Sequence, residues 1–317
     1  MATSKRAAVR APRWQGSMVA LVTPFRRGAV DEPRLRQLIE WHVTQGTSAL
    51  VPCGSTGESA TLSFKEHEQV IDLCVQTSAG RLPVIAGTGS NNTAEAVELT
   101  KFAERAGADA ALLISPYYNK PTQQGLYLHF KAIAEAVELP IILYNIASRT
   151  AVNIEPETVA RLAELRHIVG IKEASGNLEQ MSRITQLCGE RLALISGDDA
   201  LTLPVLAIGG TGVISVVANL VPSQMAGMIK AFQDGHIAEA RRWHAKLLPL
   251  TRALFLETNP IPVKTAMGML GMIEPELRLP LCAMSEANQA RLQQALITYG
   301  LLTKNGAPSK AWAAQRR

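Results

Sequence analysis

Long apolar runs are missing from this chain of 317 residues. None approaches the roughly 18 apolar residues a membrane-spanning helix needs, although a hydrophobic fraction of 47% is ample for a packed interior. A membrane role is not expected. Cysteine is scarce. Cys53, Cys74, Cys188 and Cys282 lie far apart with no CxxC among them, so neither a disulfide framework nor a zinc site is indicated, and reduced thiols fit a cytoplasmic protein. Aromatics make up only 5% of the residues, which leaves few platforms for stacking bases. Acid is absent from both ends: residues 1–16 carry Lys5, Arg6, Arg10 and Arg13, and residues 302–317 carry Lys304, Lys310, Arg316 and Arg317. Those eight cations exceed the net charge of +5, so the body between them carries −3 and has no phosphate-tracking surface. No nucleic-acid partner is expected. The basic N-terminal stretch has no apolar face of the transit-peptide kind and reads as a tail.

What is present is a repeat of short β-branched runs, at residues 18–25, 48–54, 83–89, 110–118, 140–146, 167–174, 192–199 and 212–219. Most are apolar on both faces, as parallel strands covered on each side should be. Helical stretches alternate with them. One opens at Ser63 with Glu66 completing a capping box and is expected to stop at Gly80, another closes at Gly107, and Pro156 and Pro222 suit first helical positions. Eight βα units predict a (β/α)8 TIM barrel, with an open doubly wound sheet as the competing arrangement. Beyond residue 221 only helical periodicity remains. The expected organisation is a tail over 1–16, a barrel over 17–230, a helical region over 231–302 and a second tail over 303–317.

In such a barrel the chemistry lies at the C-terminal ends of the strands. That rule selects Thr23, Pro24, the turn Gly54–Glu58, Thr88, Gly89, Tyr117, Tyr118, Tyr144, Asn145, Arg149, Lys172, Glu173, Gly197, Asp198 and Asn219. The histidines fall elsewhere: His42, His67, His129, His236 and His244 in expected helices, and His167 at the wrong end of a strand. A catalytic metal is therefore not expected. GGTG at 209–212 precedes the eighth strand on the opposite face and reads as a tight turn.

Of eleven lysines, Lys172 alone ends a strand, in HIVGIKEASGN. An amine attacks a carbonyl only when neutral, and burial disfavours the ammonium, so a lysine there suits Schiff-base chemistry. The plain alternative is an ion pair with Glu173 or Asp198. Tyr144, one strand over, suits a proton relay or simple packing. Ser55 and Thr56 in GSTG suit a carboxylate cradle or an ordinary turn. Arg149 suits a bidentate carboxylate clamp or an exposed loop charge.

Between about residues 17 and 302 the chain resembles the dihydrodipicolinate synthase and N-acetylneuraminate lyase family of class I aldolases. The motifs are GSTGESATL (54–62), PVIAGTGSNNTAEA (83–96), PYYNKPTQQGLYLHF (116–130), YNIASRT (144–150), VGIKEASGN (169–177), SGDD (196–199), GVISVVAN (212–219) and NPIPVK (259–264). The resemblance implies that Lys172 forms an imine with pyruvate and that Tyr144 relays protons. It implies that Thr56 connects Tyr144 to Tyr118, which comes from a neighbouring subunit. Ser55 and Thr56 would hold the pyruvate carboxylate, with Gly197 and Ile214 also contacting substrate. Arg149 favours the synthase branch, which joins pyruvate to aspartate 4-semialdehyde on the route to lysine and diaminopimelate; a sugar-acid lyase is the rival. No cofactor is implied. Ser59, Ala60, Leu62, His67, Asn91, Glu95 and Tyr117 match a feedback site for lysine, with Phe64 replacing a histidine. A homotetramer built as a pair of dimers is expected. Three departures stand out: Ser55 where threonine is commoner, Ala147 for a proline, and Ala151 for a glycine.

Overall fold

The computed structural model describes residues 14–315. Lys5, Arg6, Arg10, Arg13, Arg316 and Arg317 of the expected basic ends lie outside them. Eight parallel strands are present: β1 (Gly16–Ala20), β2 (Ala49–Val51), β3 (Ile85–Gly87), β4 (Ala110–Ile114), β5 (Ile141–Asn145), β6 (Ile168–Glu173), β7 (Ala193–Ser196) and β8 (Gly212–Ser215). They hydrogen-bond in the order β2-β1-β8-β7-β6-β5-β4-β3. A Leu50–Val84 bridge then joins β2 to β3, with Gly87 donating to the Pro52 carbonyl at 3.0 Å. The ring closes into a (β/α)8 barrel, which excludes the open sheet. Gly87 is required here, because a Cβ would overlap the Cys53 carbonyl.

Each strand is shorter than the apolar run that announced it. The runs continue into the rim, where Thr23, Tyr117 and Tyr118 belong to loops. Side chains alternate across the sheet. Met18, Ala20, Val51, Ile85, Leu112, Ile142, Tyr144, Ile195 and Ile214 fill the barrel, while Val19, Leu50, Ala86, Leu113, Leu143 and Leu194 face the helices. The register pairs Tyr144 with Lys172. Lys172 therefore shares the interior face with Tyr144.

The eight barrel helices are α1 (Glu32–Thr44), α2 (Phe64–Ser78), α3 (Thr93–Ala106), α4 (Gln123–Ala134), α5 (Pro156–Leu162), α6 (Leu178–Cys188), α7 (Thr202–Ala207) and α8 (Pro222–Gln233). The Ser63–Glu66 capping box is formed, Gly107 caps α3 in the left-handed region, and Pro156 and Pro222 open their helices. Two expectations need correcting. Helix α2 ends at Ser78 with Ala79 already left-handed at φ 48, so the stop precedes Gly80. His236 is no helix-interior residue; it caps α9 (Ile237–Ala253) after the chain breaks from α8 at Gly235, φ 81. Helices α10 (Ile261–Met269) and α11 (Glu286–Tyr299) complete a second apolar cluster with α8 and α9. Trp312, from the short helix Lys310–Gln315, is buried in that cluster against Trp41. At the other end Trp14 packs beneath the barrel interior.

The C-terminal region is tied back to α2 by Arg278, whose guanidinium donates to both carboxylate oxygens of Glu66, at 2.9 and 2.5 Å. This pair holds the Glu66 carboxyl down to about 2. A depressed folded-state value means the contribution is full above about 4.5 and fades as pH falls towards 2. Glu66→Gln should therefore cost about 1 kcal/mol near neutrality. Denaturant titrations at pH 7 and pH 3 check it: the gap from the parent protein narrows at the lower pH.

Candidate active site

Lys172 is 7% exposed, and its Nζ lies 4.1 Å from the centre of the Tyr144 ring. The carboxylates suspected of neutralising it are engaged elsewhere. Glu173, fully buried, accepts from Asn145 Nδ2 at 2.9 Å, the Ser175 amide at 2.7 Å and Gln180 Nε2 at 3.2 Å. Asp198 caps the turn after β7, accepting from the Ala200 amide at 2.8 Å. Among the described residues Lys172 enters no ion pair, so the ion-pair reading is not supported. Gly197 makes room for this side chain, since a Cβ there would come 2.7 Å from Ala174 Cβ and 3.2 Å from Lys172 Cγ. Ile214 is buried in the barrel interior, as is Tyr144.

Sequence reasoning missed a second buried lysine. Lys264 on α10 has no exposed surface; its Nζ donates to Glu58 Oε1 at 2.5 Å and to the Thr23 carbonyl at 3.0 Å. Its only sequence signal is the NPIPVK motif. Bonded twice, this amine is held against attack. Lys172 is not.

The Gly54–Glu58 turn carries Ser55 and Thr56 at the mouth. Thr56 Oγ1 accepts from Asn259 Nδ2 at 3.0 Å, and no hydrogen bond joins it to Tyr144 or Lys172 within the described residues. Asn259 also uses its carbonyl to accept from Arg149 Nη2 at 2.9 Å. Arg149 is exposed but anchored, on a short helix, Ala147–Thr150, that ends at Ala151 with φ 59. An alanine there sits where glycine is freer. Ala151→Gly should raise stability by about 0.5–1 kcal/mol, after the added flexibility of the unfolded chain is subtracted. A urea midpoint above that of the parent protein is the expected reading.

A cleft of about 470 Å³ opens beside this turn, lined by Ser55, Arg149 and Asn259 and by Ser59, Ala60, Leu62, Phe64, His67, Glu95 and Tyr117. Six of the seven positions matching a lysine site thus share one cavity. The seventh, Asn91, braces the next loop: it donates to the Tyr117 carbonyl at 3.2 Å and accepts from Asn119 Nδ2 at 2.9 Å. His67, buried, donates to the Gly87 carbonyl at 2.6 Å, and burial lowers its affinity for a proton. Between Asn91's two bonds stands Tyr118, left-handed at φ 72 and 90% exposed. Tyr118 is not brought to Thr56 or Tyr144 within one chain. Among the described residues no three or more His, Cys, Asp or Glu side chains converge on a metal site.

The family model described as the dihydrodipicolinate synthetase family matches residues 13–298. The chain belongs to the dihydrodipicolinate synthetase family. Within it, a 4-hydroxy-tetrahydrodipicolinate synthase of Nitratidesulfovibrio vulgaris (strain DP4) is 58% identical over 291 residues, covering 92% of this chain and all of that one. The chloride-inhibited dihydrodipicolinate synthase of Acinetobacter baumannii, solved with pyruvate, matches at a TM-score of 0.89 and 46% identity over 91% of this chain and 99% of that one. The synthase of Cyanidioschyzon merolae, solved with lysine bound, matches at 0.89 and 44% identity over 92% and 100%.

Proposed function

We propose that this protein condenses pyruvate with aspartate 4-semialdehyde to give 4-hydroxy-tetrahydrodipicolinate, a lyase step in lysine and diaminopimelate biosynthesis. The observation that carries the reading is Lys172, buried at the barrel mouth opposite Tyr144 with no carboxylate partner among the described residues. Its amine adds to the keto carbon of pyruvate, and water leaves as the imine forms. A proton lost from the methyl carbon gives the enamine, whose carbon attacks the aldehyde. The amino group of the second substrate then displaces Lys172 and closes the ring. Tyr144 is assigned the proton transfers, and Thr56 the link from it to Tyr118. Ser55 and Thr56 are assigned the pyruvate carboxylate, Gly197 and Ile214 the walls around it, and Arg149 the carboxylate of the semialdehyde.

Tyr118 is assigned to the site of a second copy, in a homotetramer of paired dimers; its exposure and its braced loop support this. Lysine is assigned to the cleft of Ser59, Ala60, Leu62, His67, Glu95 and Tyr117, next to that loop. Four free cysteines, three of them buried, support a cytoplasmic setting.

The test supplies pyruvate with either aspartate semialdehyde or N-acetylneuraminate's amino-sugar aldehyde, and traps the enzyme with borohydride in pyruvate alone. Turnover with the semialdehyde and an adduct on Lys172 are expected. Turnover with the sugar only, or no adduct, removes the reading.

A further inference from the structure

The Glu58–Lys264 pair is the most deeply buried ionic contact among the described residues, with neither side chain exposed. Burying two charges is expensive, and an apolar pair of the same volume is often as stable. What this pair holds is specific. Glu58 is the last residue of the Gly54–Glu58 turn and takes a left-handed backbone, φ 54, that its shape disfavours. Its Oε1 accepts from Lys264 Nζ at 2.5 Å, and its Oε2 from the Arg278 amide at 3.2 Å. Its amide donates back to the Ser55 carbonyl at 3.2 Å.

Lys264 grips the same turn by a second route. It donates to the Thr23 carbonyl at 3.0 Å, and Thr23 Oγ1 donates to the Gly57 carbonyl at 2.7 Å. Five residues before Lys264, Asn259 donates to Thr56. The underside is fixed by Phe25, fully buried, whose ring centre lies 4.3 Å from Lys264 Nζ and 4.2 Å from Arg278 Cζ. Burial pushes the Lys264 amine below its usual value, against the attraction of Glu58. The C-terminal helical region thus holds the one turn on which Ser55 and Thr56 stand.

We infer that Glu58 and Lys264 are positioning residues for keto-acid binding: the buried pair fixes the strained turn so that Ser55 and Thr56 meet the carboxylate of pyruvate. The inference rests on the assignment of that carboxylate to Ser55 and Thr56 made above. Neither side chain touches substrate. A loosened turn weakens capture of the keto acid while leaving Lys172, Tyr144 and the chemistry that follows in place.

Two variants of the full-length enzyme test this. Glu58→Asp keeps both charges but shortens the reach, and the double variant Glu58→Gln with Lys264→Met keeps the packing without a lone buried charge. In each, KM for pyruvate should rise about tenfold, with the pyruvate concentration needed for half-maximal borohydride trapping rising in step, while kcat and KM for the semialdehyde move less than about threefold. A folded variant with the parent KM for pyruvate overturns the inference. So does an equal rise in both KM values, which marks general loosening, or the failure of both variants to fold, which makes the pair a folding device. Failure of the parent enzyme to trap pyruvate on Lys172 overturns instead the functional reading beneath it.

Discussion

Lys172→Ala should lower kcat on the order of 10⁴-fold, because among the described residues no other lysine ends a strand of the barrel. Lys264 is the one alternative, and it is closed off by Glu58 and the Thr23 carbonyl with no surface open to solvent. Peptide mass mapping after borohydride and pyruvate should find the adduct on Lys172 in the parent enzyme and none anywhere in the variant. The thermal midpoint should hold or rise, since a buried amine lacking a carboxylate partner costs stability in the parent. Loss of activity with a lower midpoint would point to a structural role for Lys172. Persistence of an adduct at Lys264 would move the imine to the other amine.

The barrel was legible because its signal is local and repeated. Eight apolar runs spaced by capped helices permit few closed arrangements, and all eight runs became strands. Lys172 was legible for the same reason: a charge at the end of a strand buried on both faces violates the pattern around it, and the register puts it opposite Tyr144. Lys264 lies within a short apolar helix and not at a strand end, so the barrel rule does not select it, and its partner Glu58 lies 206 residues away. Pairings of that span leave no trace in periodicity. Asn259 was invisible likewise, since its bonds to Thr56 and Arg149 come from a loop outside the strand ends that the barrel rule ranks. The left-handed turns at Ala79, Tyr118 and Ala151 show the converse: residues other than glycine hold them, so the usual composition signal is missing.

Arg149→Ala should lower kcat/KM for the semialdehyde by about 10²–10³-fold, the loss of a charge-assisted carboxylate contact of about 3–4 kcal/mol. Imine formation should barely change. The geometry separates the two steps: Lys172 sits in the barrel interior beside Tyr144, whereas Arg149 lines the outer cleft and is tethered by Asn259. That tether uses one nitrogen of the guanidinium and leaves further N–H donors for a ligand. Arg149→Lys should recover little, because a single ammonium cannot both hold the Asn259 carbonyl and present a planar fork to a carboxylate. Pre-steady-state measurement distinguishes the cases: borohydride trapping with pyruvate alone within about threefold of the parent, and turnover collapsing only when the aldehyde is added. Equal losses in trapping and turnover would place Arg149 on the pyruvate side of the reaction and transfer aldehyde selection to another part of the cleft.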